Sequence, residues 1–366
     1  MRGPQAHGAQ RVLIVRLGAI GDALRVLPAV RRLRRARPDA TIAWAVEDWV
    51  YPLLAGNPNI DRFHVLDRRA LRAGVARAVT EIGRFVREVR DGAYDTVLDF
   101  HGRLKSGMVS WCSGATVRIG YAPGDCTEGN HLFNNVHVRL ADPAENRVLR
   151  FLRLLEPLAI APLFDPADTG VHVDAAVARQ ARAWYAGSGS PVLAAYPGTS
   201  RWQAAYHRWP SEKWVELLRR LGRERIHAVI FWGPDDADYA RAIADQAADA
   251  CALAPATTLA EMLAMLGCFQ AFIGTNTAAM HMAWLQGVPT AVFAGPADPR
   301  TDAPLPPVSA RVLRAAEHVR RGVSKRHQPD VVAAVPVEEA LAAVKSLLAE
   351  ARRAIPRVER QGEGLE

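Results

Sequence analysis

The sequence predicts an α/β protein of two domains, each built on a parallel sheet, on three observations. Short apolar runs alternate with amphipathic helical stretches along nearly all of the 366 residues. That alternation is the mark of parallel strands joined by right-handed crossovers. Two stretches about 250 residues apart, Arg11 to Leu24 and Phe272 to Pro299, each read as strand, Gly-bearing loop and helix. Folds of this class build ligand sites in that way, at the carboxyl ends of their strands. Residues 161–168 and 188–191 are loop-rich and bracket a junction. The expected domains are 1–170 and 186–350, followed by a tail, 356–366, expected to be disordered.

The elements follow in order. Strands are expected at 11–16, 41–46, 62–66, 95–99 and 117–120, then at 192–195, 226–231, 271–274 and 289–293. Helices are expected between them and at 145–159, 211–221, 236–248, 258–266, 277–286 and 336–353. Val12 to Val15 is a continuous apolar run, as a strand covered on both faces requires. Gly18 and Gly21 give the next loop backbone freedom and close approach. Asp22 then starts a helix whose apolar positions include Leu24, Leu27, Val30 and Leu33. Two readings of Asp22 stand side by side: a helix N-cap, or a general base at the mouth of a ligand cleft. The glycine spacing is G-x-x-G rather than G-x-G-x-x-G, which disfavours a nicotinamide-dependent dehydrogenase.

Composition bounds the function. Hydrophobic residues make up 49% and charged residues 23%, ample for large cores. No run of eighteen apolar residues suggests a membrane span, and the first eight residues lack the apolar core of a signal peptide. The four cysteines, Cys112, Cys126, Cys251 and Cys268, form no C-x-x-C pair and read as reduced thiols. Of the net charge of +8, residues 1–165 carry +7, with 24 Lys and Arg against 17 Asp and Glu. Arg31, Arg32, Arg34, Arg35 and Arg37 cluster on one helix; Arg72, Arg77, Arg84, Arg87 and Arg90 line another. They read either as solvated faces or as an attraction for an anionic substrate or membrane surface. No aromatic-interleaved basic motif or zinc pattern points to nucleic acid.

The second half carries its own constellation. Gly198-Thr199-Ser200-Arg201 follows a strand and offers hydroxyls, amides and a guanidinium to phosphate oxygens. Trp232-Gly233 closes the next strand, where a base or ribose could pack. Asp236-Ala-Asp238 opens a helix and reads as acidic residues favoured by the helix dipole rather than as metal ligands. Thr275-Asn276-Thr277 caps a helix on which His281 lies one turn further on, facing the same ligand or buried as a hydrogen-bonded histidine. No metal ligand set is expected.

These motifs, taken together, resemble glycosyltransferase family 9, the ADP-heptose:lipopolysaccharide heptosyltransferases. The resemblance runs through Gly18-Ala-Ile-Gly21-Asp22 with Leu27-Pro28, then Asp99-Phe-His101-Gly102-Arg103-Leu-Lys105-Ser106. It continues through Tyr196-Pro-Gly-Thr-Ser-Arg201, Arg208-Trp209-Pro210 and Phe231-Trp232-Gly233 to the block from Thr275 to Asp298. It covers roughly residues 11–300, in order. Three positions depart from the family pattern: His101 stands for Gln, His207 for Lys and Asn276 for Asp. The resemblance implies a GT-B architecture, two Rossmann-like domains facing an interdomain cleft. It implies an inverting, metal-independent transfer of heptose from ADP-heptose to the lipopolysaccharide inner core, with no cofactor. It makes Asp22 the catalytic base. Thr199, Ser200, Arg201, His207, Arg208, Trp232, Asn276, Thr277 and His281 become donor contacts, and Gly18, Gly21, Arg103 and Lys105 acceptor contacts. The acceptor would be lipid-linked and anionic, and the enzyme peripheral at the cytoplasmic face of the inner membrane. The departures keep open a different nucleotide-sugar or acceptor, or a non-catalytic relative acting as a binding subunit.

Overall fold

The computed structural model of the protein describes residues 10–189, 192–199, 208–247 and 249–354. The chain forms two compact units, the first up to Asp174 and the second from Ala175. Each holds a six-stranded sheet whose neighbouring strands are all parallel. In the first, β1 (Arg11–Val15), β2 (Thr41–Glu47), β3 (Arg62–Leu66), β4 (Thr96–Asp99), β5 (Val117–Tyr121) and β6 (Val136–Val138) lie in the order β3-β2-β1-β4-β5-β6. The second contains β7 (Leu193–Tyr196), β8 (Ala228–Ile230), β9 (Cys251–Leu253), β10 (Ala271–Thr275), β11 (Thr290–Phe293) and β12 (Ala310–Leu313). Their order is β12-β11-β10-β7-β8-β9. In both, the chain starts in the middle, winds outward one way, then returns and winds the other way. The reversal falls between β1 and β4 and again between β7 and β10.

The helices of seven or more residues are numbered α1 (Ile20–Ala36), α2 (Val75–Asp91), α3 (Leu104–Cys112), α4 (Arg147–Arg153), α5 (Ala175–Gly187), α6 (Ser211–Arg223), α7 (Ala237–Gln246), α8 (Leu259–Leu266), α9 (Ala278–Trp284) and α10 (Val337–Ala354). Strand β1 is buried on both faces, with Val12 to Val15 wholly inaccessible. Phe85 and Val89 of α2 and Val109 of α3 pack on Leu13, Val15 and Val97 to form one core of the first unit. In the second unit the ring of Trp209 stacks on Phe293, centroids 4.7 Å apart, with Trp214 edge-on at 5.3 Å. The Trp209 indole Nε1 donates to the Val335 carbonyl at 2.9 Å. None of the helices is long and apolar enough to cross a membrane, among the described residues. The four cysteines are free thiols.

The structure departs from the sequence expectations at several points. Strands β6, β9 and β12 were not foreseen. They are edge strands of three or four residues, largely half-exposed; His137 and Arg311 interrupt β6 and β12, and β9, though apolar, is only three residues long. The helix expected over 145–159 ends at Arg153, and Glu156–Leu158 forms a separate 3₁₀ turn. Pro157 disfavours helical geometry at the residue before it. The junction expected at 170–186 is mostly α5, which belongs to the second unit: Trp184 packs edge-on against Phe231 at 6.3 Å, and Tyr185 against Phe269 at 5.3 Å. The tail 356–366 lies outside the described residues.

The arginine cluster of α1 is neither a solvated face nor an open anion site. Arg31 pairs with Asp168, Arg34 with Asp61, and Arg35 with Asp165 and Asp168, while Arg32 and Arg37 donate to the Ala161 and Leu158 carbonyls. These contacts tie the 158–168 segment back onto α1. They leave α2 as the helix whose arginines face water.

Trp209 is the keystone of the second core. Trp209→Ala removes its stacking and its indole hydrogen bond, and is expected to destabilise the second unit by about 3–5 kcal/mol. The measurement is a urea titration followed by circular dichroism. Trp209→Phe, which keeps the ring stack, should lose much less.

Candidate active site

The carboxyl end of the first sheet, where the strand order reverses, opens on a cavity of about 540 Å³. Its walls come from the β1–α1 loop and the start of α1 (Arg16, Gly18, Ala19, Asp22), from Glu47 and Trp49 after β2, and from Phe100 to Arg103 with Lys105 after β4. Tyr121 and the 125–127 loop follow β5, and α4 adds Arg147, Arg150 and Phe151. Six cationic side chains (Arg16, Arg68, Arg103, Lys105, Arg147, Arg150) face three carboxylates (Asp22, Glu47, Asp125). The balance favours an anionic ligand.

Asp22 is not the N-cap. The cap position is Ala19, and Asp22 lies in the first turn of α1 with its carboxylate turned to guanidinium groups. Arg16 Nη2 pairs with one carboxylate oxygen and Arg25 Nη2 with the other, and Arg147 Nη1 approaches the latter at 3.4 Å. Arg16 is itself buried and donates to the Phe100 carbonyl at 3.0 Å, which bridges β1 to β4 at the strand reversal. Burial, then the charge of Arg25, lowers the Arg16 guanidinium to about 9, still above neutral pH. Gly18 forms a wall of the cavity; a Cβ there would stand 3.1 Å from the Trp49 ring and 3.3 Å from Glu47 Oε2. Close approach, not a left-handed backbone, is its requirement, since neither Gly18 nor Gly21 has a positive φ. Gly21 does not line the cavity: it sits in the first turn of α1, and its carbonyl accepts from Arg25 Nε at 3.2 Å.

On the opposite wall Glu47 is a tie point. Lys105 Nζ donates to its Oε1 at 2.9 Å and the Trp49 indole to its Oε2 at 2.6 Å. Arg68 reaches Oε2 at 3.5 Å and lies over the Trp49 ring, 5.2 Å from its centroid. Arg103 lies on the rim, 3.6 Å from Glu128. His101 fills the position of the family glutamine. Burial, then Arg16, lowers its imidazole to about 3, so it is neutral at physiological pH. A neutral imidazole, like an amide, offers one donor and one acceptor; its Nδ1 is buried with no hydrogen-bond partner.

The loop carrying these groups is held from below by Asp99, which is fully buried at the end of β4. Its carboxylate accepts from the His101 and Gly102 amides at 3.0 and 3.2 Å, from Ser106 Oγ at 3.0 Å and from Asn130 Nδ2 at 2.6 Å. Burial raises Asp99 above the ordinary carboxylate range, and these hydrogen bonds oppose the rise. The seven-residue spacing of Asp99 and Ser106 thus closes a loop that presents His101, Arg103 and Lys105 to the cavity.

In the second unit, Thr199, Trp232 and Asn276 follow β7, β8 and β10, adjacent strands at the second reversal. The Thr275 hydroxyl donates to the Gly198 carbonyl and bridges β10 to β7. Thr199 is buried, with its Oγ1 lacking a partner. Asp236 stands at the N-cap of α7, at the helix start read from the sequence, and has a second role. It is buried and pairs with Arg208 Nη2 at 2.6 Å, while Arg208 lies over the Tyr239 ring, 4.5 Å from its centroid. Arg208 is therefore committed to Asp236. Gly198 is fixed by the same carboxylate, because a Cβ there would stand 2.3 Å from Asp236 Oδ2. Trp232 is half-buried and donates from Nε1 to the Ala254 carbonyl at 2.8 Å. Thr277 occupies the N-cap of α9 without a side-chain cap bond, and Asn276 beside it is half-buried. His281 is buried, and its Nδ1 accepts from Trp284 Nε1 at 3.0 Å, which places the proton of the neutral ring on Nε2. Ser200, Arg201 and His207 lie outside the described residues. Among the described residues no group of three His, Cys, Asp or Glu could hold a metal ion.

The structure gathers Asp22, Gly18, Arg103 and Lys105 in one cavity and adds Arg16, Glu47, Trp49 and Arg147, which the sequence reading passed over. Arg16 was findable as a charged residue directly after a buried strand. Arg147, 125 residues from Asp22, carried no local signal.

Known proteins resemble the chain over most of its length. A family profile described as glycosyltransferase family 9 (heptosyltransferase) matches residues 82–330. Lipopolysaccharide heptosyltransferase 1 of Pseudomonas aeruginosa is 28% identical over 295 residues, covering 79% of each chain. A glycosyl transferase family 9 structure from Veillonella parvula superposes with a TM-score of 0.77 at 21% identity, covering 95% of this chain and 99% of that one. Escherichia coli heptosyltransferase WaaC with ADP-2-deoxy-2-fluoro heptose gives 0.70 at 21% identity, covering 93% and 99%. These likenesses fix the fold as GT-B.

The Asp99 cluster generates a stability test. In Asp99→Asn an acceptor oxygen becomes an amide donor facing the donors of Ser106 and Asn130. Leaving such groups unpaired in a buried site is expected to cost about 2–4 kcal/mol. Thermal unfolding measures the loss, and Ser106→Ala, which removes one hydrogen bond, should cost about 1 kcal/mol.

Proposed function

We propose that this chain, which belongs to glycosyltransferase family 9, moves heptose from ADP-heptose to the inner core of lipopolysaccharide with inversion at the sugar carbon. The observation that carries this reading is Asp22, a carboxylate opening on a cavity in which cations outnumber carboxylates two to one. The first unit then holds the acceptor, through Gly18, Arg103, Lys105 and the neighbouring arginines, and the second holds the nucleotide-sugar. The ADP-heptose analogue bound by the Escherichia coli relative supports that donor. A second reading, another nucleotide-sugar, is favoured by Asn276 in place of the family aspartate; mass analysis of the product separates the two.

A carboxylate has about four lone-pair positions. Arg16, Arg25 and Arg147 engage three of those of Asp22, leaving one for an acceptor hydroxyl. In a single displacement the hydroxyl proton passes to Asp22. The acceptor oxygen bonds to the anomeric carbon, and the carbon–phosphate oxygen bond breaks with its electron pair leaving on ADP. The guanidiniums orient Asp22 and meet the acceptor's negative charge. On the donor side, Thr199, Trp232, Asn276, Thr277 and His281, with Ser200, Arg201 and His207, surround the nucleotide-sugar, and hydroxyls and amides stabilise the leaving diphosphate without a metal. Arg208 contributes by holding Asp236 rather than by direct contact. The enzyme works peripherally at the cytoplasmic face of the inner membrane, where a lipid-linked acceptor is exposed.

Asp22→Ala is expected to lower turnover by about 10²-fold or more with ADP-heptose and a lipid A–Kdo acceptor, while donor affinity measured by calorimetry stays near the wild-type value. A stable and fully active variant would remove Asp22 from the mechanism. Excess EDTA should leave the rate unchanged; loss of activity that magnesium or manganese restores would show that a metal, not protein hydroxyls and amides, carries the leaving-group charge.

A further inference from the structure

Seven of the eleven large hydrophobic side chains exposed among the described residues fall between positions 75 and 132: Val75, Val79, Ile82, Leu104, Met108, Trp111 and Leu132. Two helices carry six of them at the same spacing. Val75, Val79 and Ile82 recur as i, i+4 and i+7 on α2, and Leu104, Met108 and Trp111 do so on α3. Each set is a stripe on one helical face. The stripes face water: Val75 is 82% exposed, Val79 64% and Trp111 62%. Val109, on the opposite face of α3, fills the core, as do Phe85 and Val89 further along α2; the α2 stripe occupies the N-terminal half of its helix, ahead of those core positions. The helices are neighbours, and the charge of Arg90 on α2 reaches Cys112 at the end of α3.

Charge says what covers this face. Residues 68–112 hold nine Lys and Arg against five carboxylates, of which Glu81 and Asp99 are buried, and Glu88 pairs with Arg84. Arg77, Arg87 and Arg90 on α2 are exposed and have no ion-pair partner among the described residues. An apolar stripe beside unpaired arginines matches the interface of an anionic bilayer, where side chains enter the acyl boundary and guanidiniums meet lipid phosphates. We infer that the exposed apolar stripes of α2 and α3 dock the enzyme on an anionic phospholipid surface. Helix α3 also contributes Lys105 to the cavity wall, so docking sets the cavity beside the membrane and lets an acceptor enter while its acyl chains stay in the bilayer. This deepens the reading of a lipid-linked acceptor, but binding is measured without donor or turnover, so the two fail separately.

The test is sedimentation of the purified full chain with vesicles of phosphatidylethanolamine and phosphatidylglycerol, against vesicles of phosphatidylcholine alone. The wild type should bind the anionic vesicles and release as salt rises. The triple variant Val79→Ser, Ile82→Ser, Trp111→Ser, exposed positions whose loss spares the core, should bind about tenfold more weakly or worse. Arg87→Glu with Arg90→Glu should lose about tenfold on anionic vesicles and little on neutral ones. Brominated acyl chains should quench fluorescence less in Trp111→Phe than in the wild type. Transfer to a de-acylated acceptor should be unchanged in the triple variant. Vesicle binding by the triple variant equal to wild type, or no binding by the wild type at low salt, overturns the proposal. So does a wild-type dimer in sedimentation equilibrium that the triple variant converts to monomer without altering vesicle binding, since the face would then cover a second copy.

Discussion

The reversal of strand order in each sheet is the constraint from which the site follows. Where two adjacent parallel strands send their connections to opposite faces, the loops at their carboxyl ends diverge and leave a crevice. That crevice needs something to hold its two sides together, and each unit supplies a polar bridge. In the first, buried Arg16 leaves β1 and donates to the Phe100 carbonyl beyond β4. In the second, the Thr275 hydroxyl leaves β10 and donates to the Gly198 carbonyl beyond β7. The first bridge is charged, and its charge is reused. The same guanidinium that ties the strands also pairs with Asp22, so the position of the candidate base depends on the sheet topology.

What could be read from the sequence was what is local. The apolar run Val12 to Val15, the glycines beside Asp22 and the Thr275 to His281 block are contiguous, and periodicity with turn chemistry sufficed to place them at strand ends. The partners of those residues come from elsewhere in the chain. Arg147 meets Asp22 across 125 residues and Asp236 meets Arg208 across 28, and no spacing rule predicts either pair. Asp236 could be read only in part for that reason: an acid at a helix start satisfies the local rule, and only the fold shows Arg208 opposite it. The edge strands β6, β9 and β12 escaped for a different cause: a strand of three or four residues is too short for its pattern to stand out, and His137 and Arg311 break two of the three. The α1 arginines show the reverse error, a correct composition whose charge the fold consumes internally.

The cavity reconciles two demands on Asp22 that pull against each other. A base must keep a lone pair for a proton, while an anion-binding pocket surrounds it with cations that compete for those lone pairs. Three guanidiniums around one carboxylate would leave little for substrate if all held equally. They do not sit equally. Arg16 and Arg25 are nearly buried and close, whereas Arg147 is 42% exposed and stands off at 3.4 Å. The inner pair fixes orientation; the outer arginine, on a different helix, is the one with room to turn toward a bound anion. Glu47 plays the balancing part across the cavity, holding Lys105, Arg68 and Trp49 in place.

Helix α3 joins this chemistry to the protein's surroundings through helical geometry alone. Successive residues along it turn by about 100°, so Ser106 reaches inward to Asp99, Lys105 reaches Glu47 on the cavity wall, and Leu104, Met108 and Trp111 are left on the outer face. An outer helix of an α/β domain ordinarily carries polar residues there. Exposed tryptophan and methionine contribute nothing to the core beneath, and single exposed apolar residues would need no explanation. Six on two adjacent helices, in register with each helix's own period and beside arginines left unpaired by the fold, are not scattered. On the proposed docking, the helix that positions the rim of the cavity is also the helix that addresses the lipid.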